Sequence, residues 1–355
     1  MPSSHRFLSQ LSLAHPIIQA PMAGVGTPRL AAAVSNTGAL GSLGIGASTA
    51  AQARAMIEET RALTDRAINV NVFCHASAER DAALESAWLA HLAPLFADAG
   101  AAPPSSLDEI YRSFNDDEES FRMLLALRPQ VVSFHFGLPS DERLAALRAA
   151  GIRTMATATN LNEALVIERA GIDAIAAQGI EAGGHRGMFD LDATDERLSM
   201  AVLVRLLVKR TGLPVIAAGG IMDGAGIRAA LDLGAAGAQL GTAFILAPES
   251  AANEAYRARL QSERAATTAL TAAISGRPAR GIVNRLVSHG ASGVPAAYPV
   301  AYDAAKQLHA AAAKSGNHEY AAHWAGQGAP LARAMPAAEL VETLVRELHA
   351  AGNPA

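Results

Sequence analysis

A single cysteine, Cys74 in the stretch NVFCH, is all the thiol chemistry this chain carries. One thiol excludes an internal disulfide and any zinc cluster built on cysteines. Its neighbour His75 makes a redox or nucleophilic role conceivable, but a small half-buried filler is the expected one. Charge is sparse as well: 17% of the residues are charged and the formal net charge is -4, so there is no electrostatic case for nucleic acid. Long apolar runs are missing. The opening MPSSHRFLSQLSLAHP has no continuous stretch of the secretory kind, and later apolar segments are interrupted by charges such as Asp223, Arg228 and Asp232. No membrane span is expected, and a cytoplasmic protein is the default. No GxGxxG opens a βαβ unit, which argues against a dinucleotide held in Rossmann fashion.

What the chain does have is length and apolar content. Half of its 355 residues are hydrophobic, enough for two ordinary domains or for one α/β barrel of about 250 residues with an appended segment. Eight short apolar segments recur in the first 245 residues: PIIQAPM from Pro16, GALGSLGI from Gly38, AINVNVF from Ala67, VVSFHFG from Val131, RTMATAT from Arg153, AIAAQG from Ala174, PVIAAGG from Pro214 and GAQLGTA from Gly237. Between them lie helix-like stretches. NLNEALVIERAG and DGAGIRAALDLG each open on an N-cap residue and close on glycine. Eight strands alternating with helices predict a (β/α)8 TIM barrel over residues 1–249, with a doubly wound sheet as the alternative. Residues 76–130 are too long for a simple crossover and predict a helical excursion over the barrel mouth. The Ala-rich residues 250–330 predict a helical cap that carries substrate groups, and 331–355 a last amphipathic helix packing back on the barrel.

In such a barrel, ligands bind at the C-terminal ends of the strands, and phosphates favour the last two loops. Gly219 and Gly220 end the seventh segment, and Gln239, Leu240, Gly241 and Thr242 end the eighth. Glycines let backbone N–H groups approach phosphate oxygens, the Thr242 hydroxyl adds a donor, and the helix starting near Asp223 offers an N-terminus. Asn71, Gln178 and Gln239 are amides able to read the edge of a heterocycle, with buried amides satisfied by backbone as the alternative. Together they suggest a phosphorylated heterocyclic cofactor such as FMN. His185, in QGIEAGGHRG, and His135, in SFHFG, follow strand ends. Tyr298, Tyr302 and Lys306 stand at i, i+4 and i+8, with Pro299 suited to a first helical turn, and predict one helix face. A tyrosine packing stripe with a snorkelling lysine is the competing reading. No carboxylate at a strand end joins His135 and His185 in a metal ligand set, so no metal is expected.

The stretches PIIQAPMAGVGTPRLAAAVSNTGALGSLG, AAQGIEAGGHRG, PVIAAGGIMDGAGIRAALDLGAAGAQLGTAF and WAGQGAPLAR resemble the nitronate monooxygenase family, specifically its class I members, from about Pro16 to Arg333. The resemblance implies an FMN-containing TIM barrel that oxidises alkyl nitronates, notably propionate 3-nitronate, with O2, releasing nitrite and a carbonyl product. It implies FMN contacts at Met22, Asn71, Gln178, Gly183, Gly220, Gln239, Leu240, Gly241, Thr242 and Gln327. It further implies His185 as the active-site histidine, acting as hydrogen-bond donor or proton partner, with His135, Tyr111, Tyr298, Tyr302 and Lys306 around the substrate and Tyr256 near the site. Lys306 would neutralise a substrate carboxylate. Two other readings stand beside this one: an FMN-dependent NADH:quinone or enoyl-thioester reductase on the same barrel, and a non-catalytic flavin-binding module. The expected partners are a small-molecule nitronate and O2, in a monomer or homodimer. Glu181 and Arg186 have no assigned role.

Overall fold

All eight apolar segments form strands of one sheet. In the computed structural model, which describes residues 6–352, these are β1 (Ile17–Gln19), β2 (Gly41–Gly44), β3 (Ile68–Phe73), β4 (Val131–His135), β5 (Arg153–Ala158), β6 (Ala174–Gln178), β8 (Val215–Ala218) and β9 (Gly237–Leu240). A two-residue strand outside this sheet, β7 (Gly184–His185), intervenes in the chain. Residues 1–5 and 353–355, the extreme ends of the expected barrel and C-terminal helix segments, lie outside the described residues. The strands pair in parallel in the order β1-β9-β8-β6-β5-β4-β3-β2. A parallel bridge from Ile18 to Leu40 joins the two ends, with Gln19 N donating to Leu40 O at 2.9 Å and Leu40 N to Ile17 O at 3.0 Å. The fold is a (β/α)8 barrel. Its strands are covered on both faces, which is why they read as apolar runs rather than alternating ones.

The helix punctuation works as its residue types dictate. Asn160 Oδ1 accepts from Glu163 N and Asp223 Oδ1 from Gly226 N, at 2.9 and 2.8 Å. Gly171 and Gly234 follow the same two helices at φ +72° and +97°, a region open to glycine at little cost.

The excursion is shorter than the expected 76–130. Its second helix, Glu118–Leu127, packs between its neighbours Ala50–Leu63 and Asp141–Ala149 as the ordinary crossover before β4. The first, Ala82–Asp98, leaves the barrel and packs on Val300–Ala313. Trp88, Leu92, Phe96, Leu286, Val300 and Leu308 share the resulting second core, so excursion and cap are one body over the barrel mouth.

The cap is not wholly helical. Strands β10 (Thr268–Thr271) and β11 (Ala279–Ile282) pair antiparallel, and β11 also pairs with β7, placing Ala279 opposite His185. Alanine's helix preference loses here because threonines 267, 268 and 271 favour extended backbone and a free edge supplies ladder partners. The last helix, Ala337–Ala351, lays Leu340, Val341, Leu344 and Leu348 into the main core.

Candidate active site

The C-terminal strand ends, the cap and the excursion enclose a cavity of about 920 Å³. From the barrel come Met22, Asn71, His135, Gln178, Gly183, His185, Gly219, Gly220, Gln239, Gly241 and Thr242; from the excursion Tyr111; from the cap Tyr256, Tyr298, Tyr302, Lys306 and Trp324. Two expected contacts stay out. Leu240 alternates with Gln239 along β9 and so points into the strand–helix core, 1% exposed. Gln327 is exposed and contributes only its backbone N–H, which donates to Glu181 O at 2.9 Å; its neighbours Gly326 and Gly328 line the cavity.

Each amide has a different state. Gln178 is spent on its own loop: Nε2 donates to His185 O at 2.8 Å, while Oε1 accepts from Gly187 N at 2.8 Å and Arg186 Nη1 at 3.3 Å. Asn71 Nδ2 donates to Ser133 O and Oγ, at 3.1 and 3.0 Å. Gln239 Oε1 is buried with no protein partner, a costly state that a bound donor would relieve. Gly183 lines the cavity, and packing by itself requires glycine there. A Cβ there would meet Gly326 N at 2.5 Å, because the WAGQG stretch crosses directly over it.

The loops expected to cradle a phosphate offer fewer free donors than expected. Gly219 and Gly220 sit at φ +126° and +71°, so the loop after β8 needs glycine. Thr242 Oγ1 accepts from Gly326 N at 3.0 Å, which leaves its own proton to donate. The N-terminus of the helix Gly224–Asp232, however, is already taken. Asp223 caps it, and Glu347 Oε2 from the last helix accepts from Gly224 N at 2.9 Å. The orphaned Gln239 oxygen, the glycine turn and the Thr242 hydroxyl, around a cavity of this size, nevertheless fit a phosphorylated heterocycle.

The two histidines differ in what they have left to offer. His135 Nε2 lies 3.2 Å from His185 O, so that nitrogen must carry the proton; Nδ1, 2.9 Å from Thr157 Oγ1, then accepts. Both of its nitrogens are occupied by protein. His185 uses one, with Nε2 2.9 Å from Ser275 Oγ. Burial pushes the pKa of each down to about 3, and for His185 the nearby His135, Arg277 and His75 push the same way. Both imidazoles are neutral at neutral pH.

The hydroxyls and the lysine supply the donors. Tyr302 Oη accepts from Trp324 Nε1 at 3.3 Å and keeps its own proton, and the buried Tyr298 hydroxyl has no protein partner. Burial raises both tyrosine pKa values and pushes that of Tyr111 to about 12, so all three stay protonated. Tyr298 precedes the helix Val300–Ala313 rather than lying on it, yet it faces the same cavity. Lys306 stands at the exposed rim, its ammonium 4.8 Å from the Tyr111 ring centroid and 5.3 Å from that of Tyr302. Tyr256 is a support: its hydroxyl donates to Trp324 O.

Several residues of this region escape sequence reasoning. Phe136 adopts φ +75° and packs among His135, His185 and Tyr298. Arg277, 3% exposed, stacks 4.0 Å from the Phe136 ring centroid and donates from Nη2 to Met188 O. Its nearest signal was the pair of arginines in SGRPARG, which gave no hint of burial. Arg186, fully buried, forms a two-point ion pair with Asp195 at 3.0 Å and donates to Gln178 O at 2.9 Å. Glu181 accepts from Met200 N at 2.9 Å and so caps the next helix. Cys74 is fully buried, not half-buried, and burial raises its pKa, so it is a filler rather than a thiolate. Among the described residues no three His, Cys, Asp or Glu gather to hold a metal, and no helix is long and apolar enough to cross a membrane.

Comparison with known proteins identifies the family. The profile of the nitronate monooxygenase family matches residues 5–347. A nitronate monooxygenase of Paraburkholderia phytofirmans is 59% identical over 96% of this chain and 94% of its own length, and one of Pseudomonas aeruginosa is 57% identical over 97% and 99%. Among solved structures, nitroalkane oxidase from Streptomyces ansochromogenes superposes with a TM-score of 0.88 at 40% identity, covering 97% of this chain and 98% of that one. With the family match running over residues 5–347 and relatives of this identity along nearly the whole chain, this chain belongs to the nitronate monooxygenase family.

Proposed function

We propose that this member of an oxidoreductase family acting on nitronates uses FMN and O2 to oxidise alkyl nitronates, propionate 3-nitronate foremost, to a carbonyl product and nitrite. One observation carries the reading: a single cavity joins an orphaned amide oxygen and glycine turn at its barrel end to a lysine–tyrosine group at its cap end. Gln239, Asn71, Gly219, Gly220 and Thr242 would hold FMN. When bound, FMN supplies an acceptor for the electrons of the nitronate carbon and a route for them to O2.

The chain's own residues do the rest. Lys306 attracts a carboxylate at the rim, and Tyr298 and Tyr302 donate hydroxyl protons to nitronate oxygens. Phe136 and Trp324 exclude water and so strengthen both interactions. His185 presents a neutral imidazole; an anion bound beside it raises its proton affinity, so Nδ1 can take up a proton as substrate binds. With a neutral nitroalkane, the same nitrogen would accept the α-proton.

The test is the absorption spectrum of the purified protein followed by addition of propionate 3-nitronate under air. Flavin bands and nitrite release are expected, and anaerobic NADH should leave the flavin oxidised. Rapid bleaching by NADH, or no nitrite from any nitronate, overturns the reading in favour of a reductase or a binding module.

A further inference from the structure

We propose that Ser275 is a positioning residue that sets the tautomer of His185, keeping the proton on Nε2 and leaving the Nδ1 lone pair as the imidazole atom offered to the cavity. The inference rests on the reading of His185 as the group that meets the nitronate.

Ser275 is fully buried, with Oγ 2.9 Å from His185 Nε2 and 3.1 Å from Arg277 O. A hydroxyl has one proton, and a carbonyl oxygen only accepts. If that proton goes to Arg277 O, Oγ accepts from His185 Nε2–H, and both bonds form. If it goes to Nε2 instead, the Arg277 carbonyl is left buried and unpaired, a state folded proteins avoid. Arg277 N, 3.4 Å from Oγ, is a second donor aimed at the same oxygen and favours the same arrangement. The Nε2–H form is therefore the one the surroundings select.

The framework resists any reorientation of the ring. Gly276 turns the chain at φ +85°, where a Cβ would lie 2.5 Å from Ala296 O, so the Ser275–Arg277 turn has one course. His185 itself is paired with Ala279 across β7 and β11, and its carbonyl accepts from both Gln178 and His135. Nδ1 has no protein partner among the described residues, and the ring lies on the cavity wall.

Of the two parts expected for His185, hydrogen-bond donor or proton partner, only the second is compatible with this tautomer. Neutral His185 faces the ligand as an acceptor, not a donor, so donation to the nitronate oxygens falls to Tyr298 and Tyr302. A proton that arrives at Nδ1 leaves the Nε2–H···Ser275 bond intact, so proton exchange with the ligand is confined to one nitrogen. The logic is that by which a third group orients the base of a catalytic triad, with a neutral hydroxyl and a carbonyl in place of a carboxylate.

The test is ¹⁵N NMR of the histidine-labelled, flavin-loaded protein, with His185 assigned by its loss in His185→Ala. Wild type should show Nε2 protonated and Nδ1 bare near neutral pH. In Ser275→Ala the Nδ1–H form should appear, and kcat with propionate 3-nitronate should fall about tenfold or more while flavin absorbance is kept; Ser275→Thr should restore both. Wild-type His185 protonated on Nδ1 overturns the proposal without need of any variant, as does Ser275→Ala that keeps both tautomer and kcat. A changed tautomer with unchanged kcat overturns instead the part given to His185 in the reaction, and leaves the tautomer control standing.

Discussion

Lys306 and His185 stand at opposite depths of one cavity, and their substitutions should separate accordingly. Lys306→Met removes a charge at the rim, where only a ligand bearing a carboxylate can use it. The KM for propionate 3-nitronate should rise roughly tenfold, as expected for losing a charge-assisted hydrogen bond, while that for an uncharged alkyl nitronate changes little. Equal effects on both substrates contradict the carboxylate role. His185→Ala should retain flavin, since none of the groups proposed to hold it is touched, and lose turnover by about 100-fold, the usual size of a proton-transfer contribution. Turnover near wild type would remove His185 from the reaction. Because burial holds its pKa near 3, kcat/KM for the free enzyme should show no inflection from this histidine around pH 6.5. At this scale the site residues that the sequence singled out, apart from Leu240 and Gln327, line one cavity. The sequence could not say which were already spent, because whether Gln178 or His135 faces a ligand or a neighbour depends on partners up to 50 residues away.

The loop between β6 and the helix Met200–Arg210 shows the element scale. It holds His185, and Arg186 is its anchor: a guanidinium 1% exposed, paired with Asp195 and bonded to two backbone carbonyls. Removing one partner of a buried pair leaves an uncompensated charge, so Asp195→Ala should cost about 3 kcal/mol in urea denaturation and lower activity without touching the cavity. A cost below 1 kcal/mol would show that the loop is anchored elsewhere. Glu319 ties the cap together in a similar way, through Arg259 and Arg264, whose hydrogen bonds hold its pKa near 2. A carboxylate depressed on folding stabilises above its unfolded pKa of about 4.5, and that contribution is lost as pH falls toward 2. Glu319→Gln should therefore lower Tm at pH 7 and approach wild type at pH 3. The barrel strands were legible because each is apolar and bounded by turn residues. Strands β10 and β11 were not, because each is only four residues long, TALT and ARGI, inside an Ala-rich stretch, and pairing with one another and with β7 makes them extended.

At the scale of the whole molecule, neutral buried histidines make folding sensitive to mild acid. His75, His135, His185 and His323 are all depressed by burial, to about 4, 3, 3 and 4. Their unfolded forms bind protons below about pH 6.5 while the folded forms do not, so stability is complete above 6.5 and declines as pH falls toward these values. Tm should drop between pH 6.5 and 5, before most carboxylates titrate; a flat profile there would mean that these imidazoles are charged in the fold. By itself the sequence determined the barrel, its helix caps and most of the residues that line the cavity, since apolar period, capping residues and glycine turns act over a few neighbours. Only the tertiary structure decided that a helix N-terminus offered to phosphate is closed by Glu347, that Gly183 yields to the WAGQG crossing, and that Ser275 faces His185. Those outcomes are contests between groups 90 to 143 residues apart in the chain for the same hydrogen bond or the same space, and nothing local records who wins them.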